Sequence, residues 1–189
     1  DQQQDLFIHL KSCLAHILVP SGNDVTMSTP KSIAEITKIL EEVTDPEVPV
    51  LTIADLGILR GVTEKDGMIE ITITPTFTGC PAMRVIEEDI NRVLNSHGVT
   101  NFKVRTVIAP PWTTDWMTED GKRKLREYGI APPSMSTEEH LKSLLSGKRK
   151  STVCPFCGSN QTHLTSAFGS TACKALHYCD ACQQPFEEF

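Results

Sequence analysis

Four cysteines near the end of the chain have the spacing of a metal site. Cys154 and Cys157 form one Cys-x-x-Cys pair, Cys179 and Cys182 form another, and 21 residues separate the pairs. A Cys-x-x-Cys turn presents two thiolates from one tight loop, so two turns supply the four soft ligands that zinc takes at tetrahedral corners. The spacing predicts a zinc ribbon with a structural ion, because a closed four-thiolate site keeps no open coordination position. The same thiolates are also suited to an iron-sulfur cluster.

Three further side chains lie close to these pairs in the sequence. Cys173 stands beside Lys174 in a stretch of small residues, where a cation and backbone N–H groups favour a thiolate. A small buried side chain is an equally good interpretation of Cys173, since free cysteine is often buried. His163 and His177 are the other two, and with four cysteines already placed we expect neither to replace a thiolate.

A further position of interest is Cys80, in a segment that reads Thr-Phe-Thr-Gly-Cys-Pro over residues 76–81. The segment lies between a predicted strand and a predicted helix, so Cys80 is expected at or near the helix N-terminus with Pro81 in the first turn. The partial positive charge there favours a thiolate. Cys80 is therefore a candidate nucleophile or metal ligand, although a buried cysteine fits the position equally well.

A second polar cluster of the same region is Asp55-Leu56-Gly57. Taken alone, its carboxylate is more typical of a turn cap than of a reactive group. Its occurrence in one domain with Cys80 makes Asp55 a candidate functional acid.

Two helical stripes are predicted between residues 28 and 109. Thr29 is expected to cap a helix that begins at Pro30 and ends before Asp45-Pro46. A second helix is expected to end at Gly98. The apolar positions recur every three or four residues; they are Ile33, Ile36, Leu40 and Val43 in the first helix and Met83, Ile86, Ile90 and Val93 in the second.

Strands are predicted at residues 58–63, 68–74 and 102–108. The first two flank the turn Lys65-Asp66-Gly67, and isoleucines alternate with polar residues in the second, as in a hairpin with one buried face. The order helix, strand, strand, helix, strand needs both helices on one sheet face. We therefore expect an α+β protein: a small two-layer α/β domain followed by the zinc ribbon.

The predicted organisation has four parts: an N-terminal extension of little functional weight (1–27), the α/β domain (28–109), a Trp-containing segment and linker (110–150) and the zinc ribbon (151–189). In the third part a short helix is expected to start at Thr118 and to end at Gly129. Trp112 and Trp116 in that part are interpreted as packing against the sheet, with an exposed docking patch as the alternative.

Composition narrows the function classes. The formal net charge is −6 and no long run of basic residues occurs, which argues against nucleic-acid binding. No apolar stretch approaches the ~20 residues of a membrane span. An odd number of cysteines, seven, with two Cys-x-x-Cys pairs, favours a reducing compartment, and we expect the cytoplasm. A homodimer stays open as an assembly state.

Several motifs resemble known families. Residues 45–49 (Asp-Pro-Glu-Val-Pro), 55–57 (Asp-Leu-Gly) and 78–81 (Thr-Gly-Cys-Pro) resemble the small α/β domain of SufT-like iron-sulfur assembly factors. Residues 110–117, 125–130 and 168–176, with the ribbon, are similar to the PaaD family of phenylacetate degradation. The resemblance covers the chain from about residue 28 to its end.

The resemblance implies an accessory protein of the multicomponent enzyme that epoxidises the ring of phenylacetyl-CoA. It implies a maturation factor that assists iron or iron-sulfur centre assembly, with Cys80 as the reactive or cluster-handling cysteine, Asp55 as its neighbouring acid, and the four ribbon cysteines as metal ligands. A stoichiometric, non-catalytic subunit of the epoxidase is the alternative. A stand-alone oxygenase is disfavoured, since the sequence has neither paired Glu-x-x-His sets nor a Gly-rich dinucleotide fingerprint.

Overall fold

The computed structural model describes residues 31–146 and 151–189, so the predicted extension before residue 28 lies outside the described residues. The helices are α1 (Ile33–Leu40), α2 (Ala82–Ser96), α3 (Glu119–Tyr128) and α4 (Thr137–Ser146), with a 3-10 helix at Thr114–Trp116. The strands are β1 (Leu59–Lys65), β2 (Met68–Ile73), β3 (Phe102–Thr106), β4 (Ile130–Ala131), β5 (Thr162–Ser166), β6 (Ala175–Cys179) and β7 (Gln184–Glu188).

The first helix begins later than the sequence predicted. Its N-cap is Ser32, whose hydroxyl accepts from the backbone N–H of Glu35 while the Glu35 carboxylate accepts from the Ser32 backbone. This reciprocal capping box satisfies free N–H groups at the helix start, so the helix begins at Ile33 and not at Pro30. Thr29 and Pro30, where its cap and first residue were predicted, lie outside the described residues. Ile36, Ile39 and Leu40 are buried.

The predicted order of helix, strand, strand, helix and strand is confirmed. β1 and β2 are antiparallel neighbours, and β3 pairs with β2 in parallel through the crossover that contains α2. A parallel neighbour requires such a crossover. Ile71 and Ile73 of β2 are buried with Ile86 and Ile90 of α2 in one hydrophobic core, so the two helices and the sheet form the expected two layers.

The segment after the sheet packs against both parts of the molecule. Helix α3 has Thr118 as its N-cap and Gly129 as its left-handed C-cap, as predicted. Leu125 of α3 and Ile130 of β4 belong to the main core. The sequence predicted only a helical turn or two near residues 138–145, where the structure has the ten-residue helix α4.

The ribbon is a sheet of four strands in the order β4, β7, β6, β5. Strands β5, β6 and β7 are antiparallel neighbours, and β4 joins β7 in parallel from the segment that precedes the ribbon. The ribbon sheet is therefore completed by residues outside the predicted ribbon. In the part of the chain that the structure describes, no helix has the length and apolar character needed to cross a membrane.

Candidate functional site

The four ribbon cysteines converge on one point. The Sγ atoms of Cys154 and Cys182 are 3.7 Å apart, those of Cys157 and Cys179 are 3.6 Å apart, and all four lie within 4.8 Å of one another. Zinc-sulfur bonds of about 2.3 Å in a tetrahedron place the sulfurs about 3.8 Å apart. The separations therefore fit a tetrahedral ion held by these four residues. Among residues 31–146 and 151–189 this is the one such group of three or more potential ligands.

Local backbone geometry explains why the two pairs form metal knuckles. After the first pair, Gly158 has φ +73° and donates its N–H to Cys154 O; after the second, Gln183 has φ +59° and donates to Cys179 O. These turns fold each pair back on itself. Backbone N–H groups of Cys182 and Ala181 are directed at the Cys179 sulfur and lower its pKa to about 7. Such donors stabilise thiolates, which is the form that binds a metal.

The two histidines near the knuckles have other partners. His163 Nδ1 lies 3.2 Å from Asp180 Oδ2 on the exposed side of the ribbon. His177 is buried, stacks on Phe186 at a centroid distance of 5.4 Å, and has its Nε2 3.0 Å from Glu188 Oε2 without hydrogen-bond geometry. The group of four sulfurs thus contains neither histidine. A tetrathiolate site of this kind is structural, because its closed shell leaves no position for a substrate. When it holds zinc, the free energy of binding stabilises the folded ribbon.

Cys80 lies in the loop that enters α2. Its backbone N–H donates to Phe77 O at 3.2 Å, Pro81 is the N-cap, and no side chain caps this helix. The preceding Gly79 is exposed with φ +87°. Cys80 itself is half-buried against the edge of the main core. A thiol beside uncapped helix N–H groups and within reach of solvent can act as a ligand or a nucleophile.

Asp55 is engaged by the segment around α3. Its Oδ2 accepts from the Thr52 N–H at 3.0 Å and from Lys124 Nζ at 2.8 Å, and its Oδ1 accepts from the Thr118 hydroxyl at 3.1 Å. The side chain is almost fully buried. Burial raises the pKa of this carboxyl, but the bonds from Lys124 and Thr52 outweigh it and hold the pKa below the ordinary value. These contacts attach Asp55 to α3.

Cys173 reaches the α/β domain from the ribbon. Its thiol lies 3.5 Å from Glu47 Oε2, to which it donates, and 3.1 Å from the Thr171 hydroxyl. Burial raises the pKa of Cys173 to about 11, and the neighbouring Glu47 carboxylate adds to the effect. The structure therefore pairs Cys173 with the Asp-Pro-Glu motif at residues 45–47.

Glu47 and Lys174 complete this junction; the sequence analysis gave Glu47 no role of its own and took Lys174 only as a cation beside Cys173. Lys174 is 6% exposed and its Nζ lies 2.8 Å from Glu187 Oε2. Glu187 also accepts from the Ser170 N–H at 2.8 Å, so it fixes both sides of the loop that carries Cys173. The sequence shows that a lysine adjoins Cys173, but it does not show that Glu187 is the carboxylate partner of that lysine.

Comparison with known proteins agrees with this architecture. Residues 33–107 match the model of an iron-sulfur cluster assembly protein, and residues 138–189 match the PaaD zinc beta ribbon domain. A protein of Porphyromonas gingivalis (strain ATCC BAA-308 / W83) named "Fe-S protein maturation auxiliary factor" is 36% identical over 48% of this chain and 88% of its own. A crystal structure of a domain of unknown function, DUF59, from Bacillus anthracis is 33% identical over 49% of this chain and 90% of that chain, with a TM-score of 0.46.

One relative spans nearly the whole architecture. This protein of Escherichia coli (strain K12), named as a putative subunit of 1,2-phenylacetyl-CoA epoxidase, is 45% identical over 161 residues, which are 85% of this chain and 93% of the relative. Together with the maturation factor of P. gingivalis and the matched model of an iron-sulfur cluster assembly protein, this relative supports a role related to iron-sulfur assembly. This relative, matched over 93% of its own length, shows together with the two matched domains that this chain belongs to the PaaD family.

Proposed function

We propose that this protein is an accessory maturation factor for the multicomponent 1,2-phenylacetyl-CoA epoxidase of aerobic phenylacetate catabolism, and that it assists assembly of iron or iron-sulfur centres. Two names support the proposal: the E. coli relative is called a subunit of that epoxidase, and the P. gingivalis relative a maturation factor. Zinc in the ribbon is the resident metal of this proposal, and iron is the cargo. Components of the epoxidase are the partners, and the protein itself is not an oxygenase.

The distribution of thiols is the observation that carries the proposal. Four of the six cysteines in the described residues form the closed ribbon group, which has no open position for cargo. Cys173 has a pKa of about 11, so it is protonated and a poor ligand near neutral pH. Cys80 is the remaining thiol of the described residues: it is half-exposed and precedes a helix whose N-terminus has no side-chain cap. We therefore assign transient iron handling to Cys80.

Co-expression of the epoxidase with a Cys80→Ala variant tests this assignment. The epoxidase purified without oxygen is expected to lose most of its iron and its ring-epoxidising activity, because the thiol that carries the cargo is absent. The variant itself is expected to keep one zinc per chain, since Cys80 lies outside the ribbon group. Elemental analysis of both proteins measures the two metals separately.

Thr78→Ala provides the matched control, because Thr78 is an exposed residue of the same loop. That variant should support normal iron content in the epoxidase. Full iron occupancy and normal epoxidation with Cys80→Ala would rule out the maturation role of this thiol. Loss of zinc from Cys80→Ala would instead show that the variant is misfolded, and Cys80→Ser, which preserves the side-chain size, then repeats the measurement.

A stoichiometric, non-catalytic subunit is the second candidate, favoured by the word subunit in the name of the E. coli relative. In that case the protein remains bound to the epoxidase at a fixed ratio throughout turnover. Size-exclusion chromatography before and after turnover distinguishes the two functions, since a maturation factor dissociates once the centres are assembled. Retention at a constant ratio, with normal iron in its absence, would favour the structural subunit.

A further inference from the structure

A continuous segment connects the Asp55-Leu56-Gly57 motif with the metal-binding ribbon. We call residues 112–131 the strap; it consists of Trp112, the 3-10 helix, α3 and β4. One end lies on the motif and the other is a strand of the ribbon sheet. A segment fixed at two distant points can transmit a change at one of them to the other.

The first half of the strap covers the backbone of the motif. The indole Nε1–H of Trp112 donates to Leu56 O at 2.8 Å. Gly57 has φ +68°, and a Cβ atom at this position would lie only 2.5 Å from Trp116 O and 2.6 Å from Trp116 Cβ. The glycine is therefore required for the close approach of Trp116, and the strap seals this side of the motif.

Helix α3 of the strap is attached to Asp55 at its N-terminus. The Thr118 N–H donates to Asp55 O at 2.9 Å, and Lys124 Nζ donates to Asp55 Oδ2 at 2.8 Å. The backbone and the side chain of Asp55 thus both hold the strap. Every polar group of the motif that bonds to the strap would be free for another partner if the strap were displaced.

The second half of the strap depends on the ribbon. β4 pairs with β7 through Ile130 and Ala131, and the Phe189 N–H donates to Ala131 O at 3.0 Å. The Phe156 ring, from the first metal knuckle, lies 3.0 Å from the point where a Cβ of Gly129 would be. Each of these ribbon partners is either inside a Cys-x-x-Cys turn or follows the last cysteine closely.

One aromatic contact joins the first half of the strap directly to the ribbon. Trp112, which bonds to the motif, meets Phe189 of the ribbon edge-on with the ring centroids 6.1 Å apart. The Trp112 indole therefore contacts both the motif and the last residue of the ribbon.

We propose that the metal-bound ribbon is a clasp that keeps the strap closed over Asp55-Leu56-Gly57, and that loss of the ion opens the motif. Residues 151–189 are too few to fold without a metal or another staple, so the folded ribbon and the bound ion are one state. Without it the strap loses β7, Phe156 and Phe189 as partners and keeps its contacts with the motif and with the main core. The ion binds the closed state better, which is the condition for a ligand to shift such an equilibrium.

Hydrogen exchange measured by NMR on the full chain tests the clasp directly. The probes are the Trp112 indole N–H and the Thr118 amide, which both donate to the motif, and the reference is the α2 backbone at residues 86–94. Chelation of the ion is expected to speed exchange of both probes at least about tenfold, which corresponds to about 1.4 kcal/mol. The α2 amides should keep their protection, and added zinc should restore the slow exchange.

Two results of that experiment would overturn the clasp. Unchanged exchange of Trp112 and Thr118 after chelation would show that the strap does not depend on the ion. Loss of protection in α2 at the same time would show that the ion stabilises the whole chain and not the strap in particular. Both readouts are independent of epoxidase activity, so the clasp is tested separately from the proposed function.

Reciprocity supplies a second test, because coupling between two sites acts equally in both directions. Asp55→Ala removes the side-chain acceptor of the strap far from the cysteines and is expected to weaken zinc retention against a competing chelator at least about threefold. Glu127→Ala, on the exposed face of α3, where its carboxylate pairs with Arg123, is the matched control and should retain zinc as the wild type does. Equal zinc affinity of Asp55→Ala and the wild type would contradict the coupling.

Discussion

Gly57→Ala tests whether the Asp-Leu-Gly motif is a close-packed docking point. At this position φ is +68° and an added Cβ would lie 2.5 Å from Trp116 O. A left-handed backbone costs an alanine about 1–2 kcal/mol. Displacing packed neighbours costs about 1–3 kcal/mol more. The substitution is therefore expected to lower the free energy of unfolding by about 2–5 kcal/mol.

Gly67→Ala is a matched reference for the conformational part of that cost. Gly67 has φ +74° in the hairpin turn, and an added Cβ would meet no atom within 4 Å. Its expected cost is only the backbone contribution of about 1–2 kcal/mol. The difference between the two alanine variants therefore measures the contact between Gly57 and Trp116.

Urea unfolding with saturating zinc provides the assay, followed in parallel by tryptophan fluorescence and by circular dichroism. Trp116 stacks under Arg60, whose guanidinium carbon is 3.5 Å from the ring centroid. Displacement of Trp116 in Gly57→Ala should therefore also change the native fluorescence, which Gly67→Ala should leave unchanged. If both variants lose the same stability and keep the wild-type spectrum, Trp116 does not pack on Gly57 and the docking argument is wrong.

Two further variants test Asp55 and the ribbon ligands. Asp55→Ala removes bonds from Thr52, Thr118 and Lys124 and should cost about 2–4 kcal/mol in urea unfolding. Burial raises the pKa of Asp55, but the bonds from Lys124 and Thr52 outweigh it and hold the folded pKa below its ordinary value. The part of the stability that depends on the ionised carboxylate is therefore present above the unfolded pKa and is lost as the pH falls below about 4 and through the folded pKa. The difference between the urea midpoints of wild type and variant should narrow in acid. Cys157→Ser should reduce zinc below one per chain in elemental analysis, since a serine hydroxyl does not replace the thiolate; wild-type zinc content would refute the ligand assignment.

Local chemistry was the part of this protein that the sequence predicted well. The ribbon ligands occur as adjacent pairs, so their spacing specifies the turn, the ligand type and the geometry together. The caps of α3 at Thr118 and Gly129 were predicted for the same reason, because a cap bonds to backbone only a few residues away. Helix α1 shows where such local prediction fails. Thr29 and Ser32 both precede the apolar stripe, and Ser32 is the N-cap because it forms the capping box with Glu35.

Long-range polar pairs could not be predicted from the sequence. Lys124 bonds to Asp55 across 69 positions, and Cys173 donates to Glu47 across 126. Neither pair leaves a periodic pattern, and a charged residue on a short polar helix normally predicts only a solvated face. The pairing of β4 with β7 is hidden for a similar reason, since two residues are too few to show strand alternation.

The two polar motifs that the family resemblance groups together differ in what the rest of the chain does with them. Asp55 accepts bonds from Thr118 and Lys124 of the strap and from the Thr52 N–H, so its carboxylate serves to hold the strap. Cys80 donates its backbone N–H to Phe77 of its own loop and packs, half-buried, against the edge of the core. We therefore propose that Cys80 handles iron and that Asp55 holds the strap, so the two motifs have separate roles. Because the strap ends in the ribbon sheet, we expect the metal state of the ribbon to control access to the Asp55-Leu56-Gly57 motif.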